Sequence, residues 1–276
     1  MANYTAADIK ALREKTAAGM MDVKKALDEA DGDMAKAEEI LRVKGQKGVT
    51  KREGRTASNG LVAAQAGAGA GTLVEVLCET DFVAKGERFL ALADEVLAQA
   101  VATKAADAEA LLASTLADGR TVRDLLDEAN ATIGEKIEVK RLARLEGERV
   151  VAYLHKTSPD LPAQIGVLVA TTGGEEATAK DVAMHIAAFS PSVLTREEVD
   201  AATVENERRV AEATAKEEGK PEAALAKIVE GRVNGFFKEH VLLEQPFAKD
   251  AKKTVGKVLD EAGATATGFA RFRVGS

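Results

Sequence analysis

The chain has one cysteine, Cys78, and no tryptophan in 276 residues. A single thiol excludes an internal disulfide framework and fits a reducing cytosol. Aromatics supply only 4% of residues against 46% hydrophobic content. The cores must therefore be built from small aliphatic side chains, and the length allows more than one. No apolar run approaches the roughly 20 residues of a membrane span. Met1-Ala2-Asn3-Tyr4 leads straight into a polar amphipathic segment, so no secretory signal is visible. A net charge of −7 and a pI near 5.3 argue against broad binding to nucleic acid or anionic membrane. Catalytic patterns are missing too. His155, His185 and His240 lack metal-ligand spacing, and there is no P-loop, dinucleotide fingerprint or Gly-x-Ser-x-Gly. Cys78 alternates with Val74 and Val76 on a strand-like run, which makes it a core residue. An enzyme has little support, and no cofactor or metal is implied.

Residues 1–44 predict three short helices. Thr5 caps the first, with Asp8 near its positive end and Ile9, Leu12 and Thr16 on one face. Asp22 caps the second, which buries Val23, Ala26 and Leu27. The third runs from Met34 to about Lys44 with Ala37, Ile40 and Leu41 inward. Such a unit suits a small binding module. Residues 45–59 combine Lys47, Lys51, Arg52 and Arg55 with Gly45, Gly48 and Gly54, opposed only by Glu53. This predicts a flexible basic linker, either simply solvated or docking an acidic surface.

From Gly60 the period shortens. Leu61 to Ala66 and Thr72 to Glu79 predict a hairpin turned by Gly67-Ala68-Gly69-Ala70-Gly71. A helix with Phe89, Leu92, Ala93, Val96, Leu97 and Ala100 at helical spacing follows. Then come a helix from Thr121 and a strand from Ile137 to Leu145. The second half repeats the order. Val150 to Leu154 and Gln164 to Ala170 pair, and a helix follows with Val182, Ile186 and His185, the last a satisfied semi-buried residue. At a constant offset Thr121 to Thr132 matches Thr254 to Thr265 at eight of twelve positions, an internal repeat. Between the second copy's helices, Thr195-Arg196-Glu197-Glu198 reads as a capping box, and two charged helices joined at Gly219-Lys220-Pro221 form an antiparallel hairpin. The fold class is α+β: a three-helix domain (1–44), a linker (45–59) and two subdomains (60–147; 148–189 with 242–276). Each subdomain is a three-stranded antiparallel sheet covered by helices, and the second is interrupted by the hairpin (190–241).

Thr80-Asp81-Phe82-Val83-Ala84-Lys85 sits where a strand meets a helix. Two readings stand. Asp81 caps the helix while Phe82, in phase with Phe89, Ala93, Val96 and Ala100, extends its core stripe. Alternatively, the pair is an exposed aromatic wedge beside a charge. The matching corner of the second copy, around Thr171-Thr172-Gly173-Gly174, carries no such pair, so the scaffold does not demand one.

These six residues resemble the signature of the bacterial elongation factor Ts family, the nucleotide exchange factors for elongation factor Tu. So do Leu12 to Thr16, Gly19 to Leu27, Ile133-Gly134-Glu135, Ile165 to Val169 and Gln245-Pro246-Phe247. The resemblance runs through nearly the whole chain in order. Val23 stands where a cysteine is common, residues 105–120 and 156–163 depart from the pattern, and a helical tail found in one family member has no counterpart after Ser276. The resemblance implies that the three-helix head is like a ubiquitin-associated domain and that the hairpin serves dimerisation or partner contact. It implies a cytoplasmic factor that binds elongation factor Tu, GDP-bound and nucleotide-free, and promotes GDP release without making or breaking a bond. Phe82 would enter an apolar cleft, Asp81 would disturb the partner's Mg²⁺ surroundings, and Thr80 and Val83 complete that contact. Met20, Met21 and Lys24 would grip the nucleotide domain, while Ile133, Gly134 and His155 would touch the partner elsewhere. An adapter that binds without exchange is the alternative from another class.

Overall fold

Helix caps and glycines divide the chain as much as hydrophobic patterning does. The computed structural model describes residues 3–16, 18–52 and 54–276, with backbone alone at 45–52 and 68. Helix α1 (Ala6–Thr16) opens on Thr5, whose hydroxyl accepts from the Asp8 amide at 3.2 Å while the Asp8 carboxylate accepts from the Thr5 amide at 2.7 Å. This reciprocal cap satisfies two amides that the helix itself leaves without partners. Those bonds, the Thr5 hydroxyl first, hold the Asp8 carboxyl below its usual range. Helix α2 (Met20–Glu29) starts two residues before the expected Asp22 cap, on Gly19, and no side chain caps it. Helix α3 (Met34–Arg52) runs eight residues past the expected stop at Lys44, so the backbone over 45–52 is helical where a flexible linker is expected. The single glycines at 45 and 48 weaken a helix by only about 1 kcal/mol each. The linker's Lys47, Lys51 and Arg52 side chains and all of Glu53 lie outside the described residues. Leu12, Val23, Ala26, Leu27, Ala37 and Leu41 form the small core of these three helices.

The sheet differs from expectation in one respect that governs the rest. Strands β1 (Asn59–Ala66) and β2 (Ala68–Cys78) form the hairpin, in register from Asn59 opposite Cys78 to Ala66 opposite Gly71. Short helix α4 (Asp81–Ala84), then α5 (Glu87–Thr103), α6 (Ala108–Ala113) and α7 (Val122–Ile133) follow. Strand β3 (Glu138–His155) is 18 residues long, where two separate strands are expected. Its first part pairs with β2 as far as Arg149. From Arg149 on it pairs with β4 (Ile165–Gly173). After α8 (Glu176–Phe189), the hairpin α9 (Ala201–Glu217) and α10 (Glu222–His240), a two-stranded β5 (Pro246–Phe247) and β6 (Asp250–Thr254), and α11 (Val255–Glu261), strand β7 (Ala264–Arg273) closes the edge beside β4. The two expected three-stranded sheets are thus one five-stranded antiparallel sheet, ordered β1-β2-β3-β4-β7. The charged run Arg144 to Arg149 with Gly147 looks like a turn. It stays extended because each half finds hydrogen-bond partners on one continuous strand.

That sheet folds across itself. On β1, Leu61 and Ala63 pack with Val74, Val76 and Cys78 against α5 and α7. The alternate residue Val62 packs instead with Leu73, Val150, Leu168, Ala170 and Phe272 from both ends of the sheet. Val167 and Val169 turn to α8 and α11. Period-two alternation thus gives each half-sheet one helix-covered face and one face against the other half. The result is four layers: helices, half-sheet, half-sheet, helices. Close approach of the middle layers depends on two glycines. A Cβ at Gly71 would stand 2.6 Å from Val150 Cγ1. One at Gly166 would overlap Val62 and stand 2.8 Å from Leu73 Cδ1. Glu75, fully buried between the halves, accepts from Arg141 Nε at 2.5 Å and from the Gly275 amide at 3.2 Å. Arg141 also bonds the Arg273 carbonyl and lies over the Phe272 ring.

The repeat is visible in space. Thr121 and Thr254 both cap their helices, and Val122 with Leu126 and Val255 with Leu259 are buried at matching positions. The copies then part. Ala131-Thr132 continue α7, whereas Ala264-Thr265 begin β7, because Gly263 at φ 62° ends α11 where Asn130 sustains α7. Thr195 precedes a single 3-10 turn without a side-chain cap. Asp200, which accepts from the Thr203 amide, caps α9. The capping box expected at Thr195 to Glu198 is not formed, since the Glu198 carboxylate is bonded to the Leu194 amide. Ala211, Val229, Val233, Phe237 and Val241 seal α9 and α10 on each other.

Candidate functional site

The corner between β2 and α5 is built by short-range capping. Thr80 is extended and its hydroxyl accepts from the Val83 amide at 3.3 Å, so Thr80, not Asp81, caps α4. Asp81 is freed to the surface, where its carboxylate meets Lys85 at 3.2 Å. Exposed pairs of this kind contribute little to stability. Helix α4 ends at Ala84 and Gly86 starts α5 afresh. The helical phase of Phe89 therefore does not extend back to Phe82. Phe82 is 78% exposed, so the core reading of this ring and the capping reading of Asp81 are both overturned. Ala84 and Phe89, by contrast, are buried and hold the two helices down. Val83 is half-buried against the same core.

Opposite this corner, α7 ends at Gly134 with φ 86°, a left-handed stop that glycine adopts without strain. Half-buried Ile133 and exposed Gly134 are thereby presented beside the corner. Two carboxylates cross between the segments. Glu135 Oε2 accepts from the Glu79 amide at 3.1 Å and the Thr80 amide at 3.0 Å, and its Oε1 accepts from the Thr80 hydroxyl at 2.6 Å. In return Glu79 Oε1 accepts from the Lys136 amide at 2.6 Å. Arg55 approaches Glu79 at 3.3 Å, and the Asn59 amide group donates to the Glu79 carbonyl at 2.7 Å. Neither Glu79 nor Glu135 is among the expected site residues, although Glu135 follows Ile133-Gly134 directly. The run Ile133-Gly134-Glu135 carries part of the family resemblance and so points to Glu135, whereas only the spatial crossing of the two segments marks Glu79.

His155, exposed at the end of β3, is returned to the same end of the folded sheet. Its carbonyl accepts from the Gln164 amide at 2.9 Å, and the Gln164 side chain donates to the Gly60 carbonyl at 2.8 Å, one residue from Asn59. Tyr153 hydroxyl stands 3.2 Å from the His155 ring. Met20 and Met21 are 59% and 63% exposed on α2, with Lys24 exposed one turn on. They lie on the three-helix unit, which approaches the rest along α3 and α7.

Cys78 and His185 fill structural roles. Burial, reinforced by the Glu135 charge, pushes the Cys78 thiol up to about 12, so at neutral pH it is a protonated core residue rather than a nucleophile. His185 is wholly buried. Its Nδ1 accepts from the Ala248 amide at 3.1 Å, so Nε2–H donates to Gln245 Oε1 at 2.8 Å, and the ring stacks between Phe189 and Phe247. Desolvation holds its pKa below the ordinary value. This gives Gln245-Pro246-Phe247 a packing role. Among the described residues no group of three His, Cys, Asp or Glu side chains could hold a metal, and no helix is long and apolar enough to cross a membrane.

Residues 79–276 match the family model described as Elongation factor TS. Over 279 aligned residues the chain is 64% identical to a protein of Micrococcus luteus named Elongation factor Ts, covering all of both chains. It is 65% identical over 276 residues to the Kineococcus radiotolerans protein of that name, and 61% over 277 residues to that of Kocuria rhizophila, again across the full length of both.

Proposed function

The chain belongs to the elongation factor Ts family and is thus a translation elongation factor; from that premise we propose that it is a guanine-nucleotide exchange factor that binds elongation factor Tu with GDP and speeds GDP release. The observation that carries this reading is the exposed Phe82 ring on a corner fixed by Thr80, Glu79 and Glu135. A large apolar ring presented to water on a fixed backbone corner gains its burial energy only on docking. Phe82 enters an apolar cleft of the partner, and Asp81 perturbs the groups around its Mg²⁺, an ion that demands near-ideal octahedral geometry. Val83 and Thr80 complete that contact, with Ile133 and Gly134 beside it. Met20, Met21 and Lys24 hold the nucleotide domain from another side, and His155 touches the partner elsewhere. By linkage, a factor that favours the nucleotide-free state weakens GDP binding by the same ratio, leaving GTP free to rebind. No covalent step is involved.

In this reading residues 1–44 act as a ubiquitin-associated-like module. The hairpin 190–241 makes either a homodimer contact or a second partner contact, and the protein works in the cytoplasm without direct nucleic-acid or membrane binding. The test is stopped-flow release of fluorescent GDP from elongation factor Tu. Wild type accelerates release, and Asp81→Ala combined with Phe82→Ala slows the stimulated rate while the circular dichroism spectrum is unchanged. A wild type that forms the complex but leaves the off-rate unaltered would show an adapter instead.

A further inference from the structure

Asp81 and Phe82 open α4 at one corner, and Ile133 and Gly134 end α7 beside it, 51 residues apart in the chain at the closest. The β2–β3 ladder brings the two segments together as far as Leu77 opposite Glu138, and beyond that pair, among the described residues, no backbone hydrogen bond joins them. The crossed carboxylates Glu79 and Glu135 do. From this geometry we infer that Glu135 is a positioning residue: it locks the Phe82 corner and the Ile133-Gly134 loop into one preformed docking surface. The inference rests on the exchange-factor reading above.

Three features argue for positioning over simple stability. First, each contact of Glu135 is with the corner itself: the two amides that lead into α4 and the hydroxyl that caps it. Second, the brace is doubled, since Glu79 reaches back to the amide following Glu135. A pair of bonds in opposite directions fixes both the separation and the orientation of the loops. Third, the cores beneath are complete without it. Phe89, Val96, Val122 and Leu126 are buried by packing that Glu135 does not share. Charge-assisted bonds to backbone amides are among the stronger kind, and here they are spent on two surface loops.

Without the brace the loops must be ordered during docking, so the cost falls on association. Glu135→Ala therefore raises the concentration of factor giving half-maximal GDP release about tenfold, equivalent to about 1.4 kcal/mol, and leaves the maximal rate within about twofold. Asp81→Ala with Phe82→Ala lowers the maximal rate instead. Glu135→Gln keeps its carbonyl oxygen for both amides. Its NH₂ donates to the Thr80 hydroxyl, which has a lone pair to spare. It stays near wild type. Thr254→Ala, which removes the α11 cap at the far half-sheet, serves as a control of general destabilisation and leaves half-saturation unchanged.

Hydrogen exchange at the Glu79 and Thr80 amides reads the brace independently of any partner. Both are protected in wild type and exchange faster in Glu135→Ala. Wild-type half-saturation in folded Glu135→Ala, equal impairment of the Gln variant, or an equal rise in Thr254→Ala overturns the inference. Unchanged amide exchange in Glu135→Ala overturns the brace itself. Failure of wild type to accelerate release is a separate result, visible before any variant is made, and it removes the exchange-factor reading and this inference together.

Discussion

Phe82→Ala separates an exposed wedge from a core phenylalanine, and the two readings differ by enough to measure. The ring is 78% exposed. Of the roughly 150–250 Å² that a phenylalanine can bury, only about a fifth is covered in the free protein. At ~25 cal/mol per Å² that is about 1 kcal/mol of folding stability. A phenylalanine in the α5 core stripe would lose about 3–5 kcal/mol on truncation to alanine. In a chain of this size the first figure shifts the melting temperature by roughly 2–4 °C. If the partner covers the ring, its remaining area is buried only in the complex, and burying a large side chain is worth about 1.5–3 kcal/mol. The stimulated GDP off-rate should fall about tenfold to a hundredfold while the melting temperature drops by no more than those few degrees. Differential scanning calorimetry and stopped-flow fluorescence on one preparation give both numbers. A core-sized loss of stability, or full exchange activity in the folded variant, refutes the argument.

Two further predictions concern the layers behind the site. Gly166→Ala places a methyl against Val62 and Leu73 across the inter-sheet layer; it should cost about 1–3 kcal/mol, seen as a lower urea midpoint, and an unchanged midpoint would mean that the half-sheets are not in close contact. His185 is held neutral, so its folded pKa lies below its unfolded value. The unfolded chain takes up the proton first, and stability is complete above about pH 6.5 and falls as pH drops below it, by at most about 1.4 kcal/mol per unit. Urea midpoints at pH 7.5 and 5.5 for wild type and His185→Gln should show a smaller pH-dependent drop in the variant; an equal drop in both would assign the dependence to other groups.

Much of the scaffold is written locally. Thr5, Thr121 and Thr254 each announce a helix through a bond no longer than three residues, and the buried Val122-Leu126 and Val255-Leu259 pairs follow from spacing alone. Period-two alternation also places Val74, Val76 and Cys78 correctly in the core. What escapes a linear reading depends on distant partners. The continuity of β3 through Gly147 is decided by β2 on one side and β4 on the other. At the corner, threonine and aspartate stand side by side and are both good caps, so residue type does not choose between Thr80 and Asp81. Phe82 keeps helical phase with Phe89 on paper. Gly86 restarts the helix and breaks that phase in space. Glu79 looks like an ordinary charged residue until two segments 57 positions apart are brought together.

The buried Glu75 carboxylate has a consequence for how this chain comes to be made. One of its oxygens is satisfied by the amide of Gly275, 200 residues downstream. The ribosome delivers residue 75 long before residue 275, and domains fold from the first end of the chain as it emerges. Through that interval the first half-sheet offers Val62, Leu73 and the Glu75 charge to water, with no second half to cover them. The Glu75 side chain later anchors the closing strand. Glu75 thus fastens the first-made half of the sheet to the last-made end of the chain.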